Sequence, residues 1–149
     1  YALKNNYIRY PAIKAAQYVR LKSLQDSRWI EAMTAQVKRP EYLRWHDAGD
    51  VQGLDHLNKI FEVCRQTPDT KHWMPTREAW IKDHLDSKPA NLVIRFSPPM
   101  IGQRNDTWPN SSMVVTEGAS CPAPSQGGKC RDCRACWDST VKVVSYGKH

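Results

Sequence analysis

The feature that most constrains this 149-residue chain is an alternation of two periodicities through its middle. Tyr42-Leu43-Arg44-Trp45-His46-Asp47, Lys71-His72-Trp73-Met74-Pro75-Thr76 and Leu92-Val93-Ile94-Arg95-Phe96-Ser97 are short runs of strand character, the last bounded by Asn91 and Pro98-Pro99. Between the first two, Leu54, Leu57, Ile60, Phe61 and Cys64 recur at helical spacing; between the last two, Trp80, Ile81 and Leu85 do so within a helix expected over residues 79–85. Parallel strands need a long crossover, usually a helix, so this order predicts a mostly parallel sheet with outer helices. Further strands are expected over 113–116 and 141–146. Ahead of the first strand, Ile13, Ala16, Val19, Leu21 and Leu24 predict a helix opening at Pro11; Trp29, Ile30, Met33 and Val37 predict a second, capped by Asp26 or Ser27 and stopped by Pro40. Cys64 lies on an apolar stripe and reads as a buried small hydrophobe, whereas His56 lies off it and reads as solvated.

In such sheets the reactive groups collect where strands end and the following loop begins. His46, Asp47 and Asp50 follow the first strand, Thr76, Arg77 and Glu78 the second, and Arg95 and Ser97 mark the third. The catalytic candidates are therefore His46, Asp47, Asp50, Arg77 and Glu78, with Arg44, Thr76 and Arg95 as substrate-binding candidates. Each has a structural alternative. His46 and Asp47 are either a pair that orients a metal or substrate or a satisfied buried pair; Gly49-Asp50 is a site element or a turn and helix cap. Arg77 and Glu78 are a clamp and an acid/base, or an ion pair at a helix start. Arg95, in a very apolar strand, needs an anionic partner or water.

Four of the five cysteines, Cys121, Cys130, Cys133 and Cys136, fall in one segment, the last three separated by two residues each. A C-x2-C-x2-C run can wrap one compact cationic object, with Cys121 folding back over Gly127 and Gly128 as a fourth ligand. The spacing suits a 4Fe–4S cluster, whose iron corners are well separated; a single zinc ion more often takes two separated CxxC pairs and is the alternative. A disulfide staple is the remaining reading, at odds with a chain long enough to bury a core. The segment 117–149 is thus expected to be metal-binding and to carry the last strand, within one α/β domain over 1–149.

The net charge of +7 permits a nucleic-acid or other polyanion partner, with Lys129, Arg131 and Arg134 the densest basic cluster, although basic groups beside thiolates also balance their charge. No long apolar run spans a membrane and no signal peptide opens the chain, so a cytoplasmic location is expected. The first residue is Tyr1, so an N-terminal truncation is expected. The loop over 98–110 is the place for a lid, and His149 reads as a frayed end rather than a metal ligand.

The runs 44–50 and 73–78, the strand at 91–97, and the segment from Cys121-Pro122-Ala123-Pro124 to Cys136-Trp137 resemble the phage gene product 88 family over nearly the whole chain. Members carry a further cysteine motif ending in Cys-Tyr-Ala, and Tyr1-Ala2 is similar to its tail. The resemblance implies a phage context, host-cell cytoplasm and an α/β fold similar to a partial (β/α) barrel of the radical S-adenosylmethionine kind; the chain carries no complete CxxxCxxC motif. The expected function is a phage-encoded iron–sulfur protein, which as an enzyme would carry out redox or radical chemistry on an anionic substrate; the alternative is a nucleic-acid-binding protein stabilised by zinc or a cluster.

Overall fold

The structure, a computed structural model, describes residues 9–148; the expectations placed on Tyr1, Ala2 and His149 lie outside the described residues. Five strands, β1 (Tyr42–Arg44), β2 (Lys71–Thr76), β3 (Leu92–Phe96), β4 (Ser111–Val115) and β5 (Val143–Gly147), form one sheet in sequential order. Every neighbouring pair is parallel, as the alternation of strands and helices predicts, and the sheet curls into a half barrel. The helices are α1 (Pro11–Ser23), α2 (Trp29–Val37) and α3 (Leu54–Gln66). The helix expected over 79–85 is instead a 3-10 segment, Ala79–Ser87, which still turns Ile81 fully inward.

Successive strand side chains alternate between faces, so the register sorts the chain into two cores. Leu43 opposite His72, and Met74 opposite Ile94, project toward the helices. There Met74, Leu92 and Ile94 pack with Leu57, Ile60, Phe61 and Cys64 of α3 and with Trp45 and Trp108. Cys64 is buried as its stripe predicts. Helix α1 departs from expectation: it buries none of its residues, and Val19 and Leu21 are exposed. Lys14, Arg20 and Lys22 interrupt its apolar positions, so it has no face apolar enough to dock fully.

His72 shows how tightly the helix-side core is satisfied. Thr67 Oγ1 donates to Val63 O at 2.7 Å, which leaves its oxygen to accept from His72 Nε2 at 2.9 Å; Trp45 Nε1 in turn donates to His72 Nδ1 at 3.2 Å. The network therefore assigns the neutral Nε2–H tautomer. Asn91 Nδ2 donates to the carbonyls of Cys64, Thr67 and Thr70, sealing the end of α3 onto the start of β3.

The opposite face, carrying Trp73, Arg95, Val144 and Tyr146, is covered by the β4–β5 connection in place of a helix. Its 3-10 turn Ala135–Trp137 lies under β2 and β3. Trp137 stacks edge-on to Trp73 and Tyr42, and its Nε1 donates to Leu43 O at 2.9 Å. Arg95 fastens this cover. Fully buried, it donates to Cys136 O at 3.0 Å, Ala135 O at 2.7 Å, Asp138 O at 2.8 Å and Ser111 O at 3.3 Å.

The expectation that Arg95 meets an anionic partner or a substrate is therefore corrected. Backbone carbonyls satisfy the guanidinium, and burial lowers its pKa from the ordinary arginine value. Replacing Arg95 with Met should remove about 3 kcal/mol or more of stability, since each buried carbonyl left without a donor costs roughly 1–3 kcal/mol. A urea midpoint equal to that of the unmodified protein would contradict this role.

Candidate functional site

Two groups of chemically capable residues stand out, one at the carboxyl ends of β1 and β2 and one in the β4–β5 connection. At the strand ends, Asp50 is the organiser. Its Oδ1 accepts from Val51 N at 2.8 Å and from Thr76 Oγ1 at 2.7 Å, and its Oδ2 accepts from Arg77 N at 2.6 Å. Thr76 Oγ1 then accepts from Glu78 N at 3.0 Å, and Glu78 Oε2 accepts from Trp80 Nε1 at 2.8 Å. This chain of bonds ties the loop after β1 to the end of β2, so Asp50 acts as a cap across strands instead of only within its own turn.

The arrangement sorts the candidates. Thr76 is buried with its hydroxyl already engaged on both sides, which removes it from the substrate-binding set. Arg77 and Glu78 form no ion pair; Arg77 is exposed, and its side chain has no hydrogen-bond or ion-pair partner among the described residues. Arg44 projects to the other face, its guanidinium 5.0 Å from the centre of the Trp73 ring. Asp47 is exposed and lines the same cleft as His46 and Asp50.

His46 is the outlier. It has a left-handed backbone, φ 56°, and both ring nitrogens are shielded from solvent without a hydrogen-bond partner, so it forms no satisfied pair with Asp47. Its ring meets His56 edge-on at 5.6 Å. Burial lowers the pKa of His46, more strongly than Asp50 raises it. His56 corrects the expectation of a solvated residue: it is buried, it packs edge-on against Trp29 at 5.7 Å, and its Nδ1 accepts from Gln52 N at 3.2 Å. Helix α2 covers the flank of α3 that the apolar stripe leaves open, which a one-helix reading misses.

In the β4–β5 connection all five cysteines of the chain except Cys64 are found, and none of the five is in a disulfide. Cys136 is buried and its Sγ lies 3.1 Å from Tyr146 Oη. Burial raises the Cys136 pKa first, with Cys121 and Cys130 near enough to raise it further. Cys121 and Cys133 are half-buried and Cys130 is exposed. Among the described residues no three His, Cys, Asp or Glu side chains already stand together as a ligand shell. Trp73, packed in the same cluster as Cys121 and Cys136, keeps a buried indole N–H with no acceptor. Trp73 and Tyr146 went unmarked in the sequence; a tryptophan in a strand beside the cysteine segment was the available signal.

Comparison with known proteins places residues 1–116 on the sequence profile of the family described as Gene product 88. The match covers well over half of the chain and stops short of Cys121, so it is narrower than the near-complete resemblance drawn from the motifs. No curated protein matches the chain, and no solved structure does.

The two buried histidines give the protein an acid limit. His56 and His72 are each pushed down to about 4 by burial, from 6.5. Both are neutral when folded, so the unfolded chain takes up protons that the folded chain refuses as pH falls below 6.5. Stability is complete above that pH and declines toward pH 4, by up to about 3 kcal/mol for each histidine. Urea midpoints measured from pH 7 to pH 4 should fall steeply; a flat profile would contradict the neutral assignments.

Proposed function

The chain belongs to the phage gene product 88 family, and from that premise we propose that it is an iron–sulfur protein of the 4Fe–4S type, with Cys121, Cys130, Cys133 and Cys136 as the ligands. The observation that carries this reading is the environment of Cys136. It is a buried thiol on a segment anchored by Arg95, beside the Tyr146 hydroxyl and in one packed cluster with the unpaired indole N–H of Trp73. Sulfur ligands of a cluster are stabilised by such N–H and O–H donors, which an apolar staple does not need.

The donor set fits the group in chemistry, and the anchoring divides it into two pairs. Cys121 is held by its N–H, which donates to Ser145 O at 3.0 Å, and Cys136 by Arg95 through its own carbonyl. Cys130 and Cys133 lie between these anchors, after Gly127 and Gly128, whose left-handed φ angles of 68° and 76° let the chain reverse. Ligand binding has to draw this intervening stretch toward the fixed pair. When bound, a cluster of this type supplies one-electron chemistry. The chain's own residues then offer an exposed cation, Arg77, at the strand ends to orient an anionic substrate, with Asp50 fixing the loop that carries it.

Of the basic residues beside the cysteines, Arg134 is not free to meet a polyanion. Arg134 lies over the Tyr42 ring, 4.6 Å from its centre, and donates to the carbonyls of Arg131 and Cys133. It is committed to holding the segment. Zinc remains the alternative occupant, since it takes the same four thiolates.

Anaerobic purification followed by metal and sulfide analysis tests the reading. Iron with acid-labile sulfide and a broad visible absorption band is expected, lost in Cys136→Ser and Cys133→Ser and kept in Cys64→Ala. One zinc without sulfide would replace the cluster with a structural ion; protein free of both metals would overturn the proposal.

A further inference from the structure

The helix side of the sheet holds a cleft of about 1450 Å3 between α1, α2 and the loop after β1, on the face away from the cysteines. Trp29, Met33, Trp45, His46 and His56 form one side of its lining, and charged residues that include Asp26, Arg28 and Glu31 the rest. Aromatic walls beside polar and charged groups are the make-up that a small organic ligand with a polar edge requires, and the volume leaves room for more than one ring. It is independent of the cysteine segment and of any metal held there.

His46 makes this cleft more than a packing defect. A non-glycine residue in the left-handed region costs of order 1–3 kcal/mol, and each buried polar atom without a partner costs roughly as much again. His46 carries both burdens at once. Elsewhere among the described residues such needs are mostly met, the indole N–H of Trp73 apart. His72 has partners on both nitrogens, and Asp50, Asn91 and Arg95 each make three or four side-chain hydrogen bonds. Strain and unpaired polar atoms that persist together mark sites where a ligand completes the structure.

The environment also fixes what the ligand must offer. Burial keeps the imidazole neutral against the opposing charge of Asp50, the charge of Arg44 acts in the same direction as burial, and the His56 ring meets it edge-on. A neutral imidazole presents one N–H donor and one bare nitrogen acceptor. Around it, Trp29 stacks edge-on with His56, His56 with His46, and Trp45 lies tilted against His46 at 6.5 Å. Aromatic walls of this kind favour a flat ring over an extended chain. The nitrogens are shielded from solvent, so entry requires a wall to yield, and α1, which forms one wall and buries none of its residues, can do so at small cost.

We propose that this cleft binds a planar heteroaromatic small molecule of the nucleobase type, with His46 as the residue that hydrogen-bonds its polar edge and Trp29 and Trp45 as flanking walls. The cleft is larger than a single base, so a ring carrying a sizeable substituent such as a sugar suits it better than a bare ring.

Titration calorimetry of the full chain with adenosine, guanosine, cytidine and uridine tests this. Saturable binding of at least one nucleoside is expected. His46→Asn keeps a residue that tolerates the left-handed backbone while removing the imidazole. It should fold with an unchanged or higher urea midpoint and weaken that nucleoside at least about tenfold. Ala32→Trp, at an exposed position that lines the cleft, keeps His46 and should also weaken binding by filling the space. No saturable binding by any of the four, or full affinity in either variant, would overturn the proposal. Iron content should be the same in all three proteins, which separates this outcome from the fate of the cysteine reading.

Discussion

The guanidinium of Arg95 is the interaction on which the other parts depend. A five-stranded half barrel has two faces to cover, and among the described residues the helices cover only one of them. The other is closed by a stretch with little regular structure, whose backbone carbonyls could not otherwise be buried without partners. Placing an arginine in the middle of the most apolar strand supplies a fork of donors to the carbonyls of Ala135, Cys136 and Asp138 and to Ser111 of the next strand. One side chain thus converts a loop into a second layer. It also reinforces the joint between β3 and β4, which share only the Phe96–Ser111 pairing.

The fold was legible wherever side-chain pattern alone decides it. The runs at 71–76 and 92–96 are strands because their apolar residues are bounded by turn-formers, and the intervening periodicity forces parallel order. What the sequence hid depends on backbone partners or on third elements. Arg95 was visible as an anomaly, but its acceptors are carbonyls some 40 residues away, and a carbonyl has no signature in a sequence. Helix α1 has a periodic stripe, yet periodicity does not say whether a partner surface exists. His56 looked solvated because a stripe marks the face toward one neighbour, and α2 supplies a second.

The candidate site was legible in outline and misassigned in detail. The rule that polar groups gather after parallel strands brought Asp50, Thr76, Arg77 and Glu78 together, and they are together. Their bonds, however, run mostly to each other, which makes Asp50 and Thr76 the fastening of the strand ends. Among the strand-end candidates the strained residue is His46, and strain is a property of φ that no residue type in its run announces. The cysteine spacing was the plainest signal in the chain; the donors around it, Tyr146 and Trp73, come from strands at either side and become apparent only once the sheet is assembled.

The same connection that covers the second face also runs along the outer edge of β5. Cys121 N donates to Ser145 O and Ser145 N to Ser120 Oγ, so the outward backbone groups at the centre of that strand are already paired. A sixth strand would have to dock on that line. The outer edge of β5 is therefore blocked at its centre by the same loop that delivered the strand. At the other end β1 offers only three residues, too short a template to recruit a stranger.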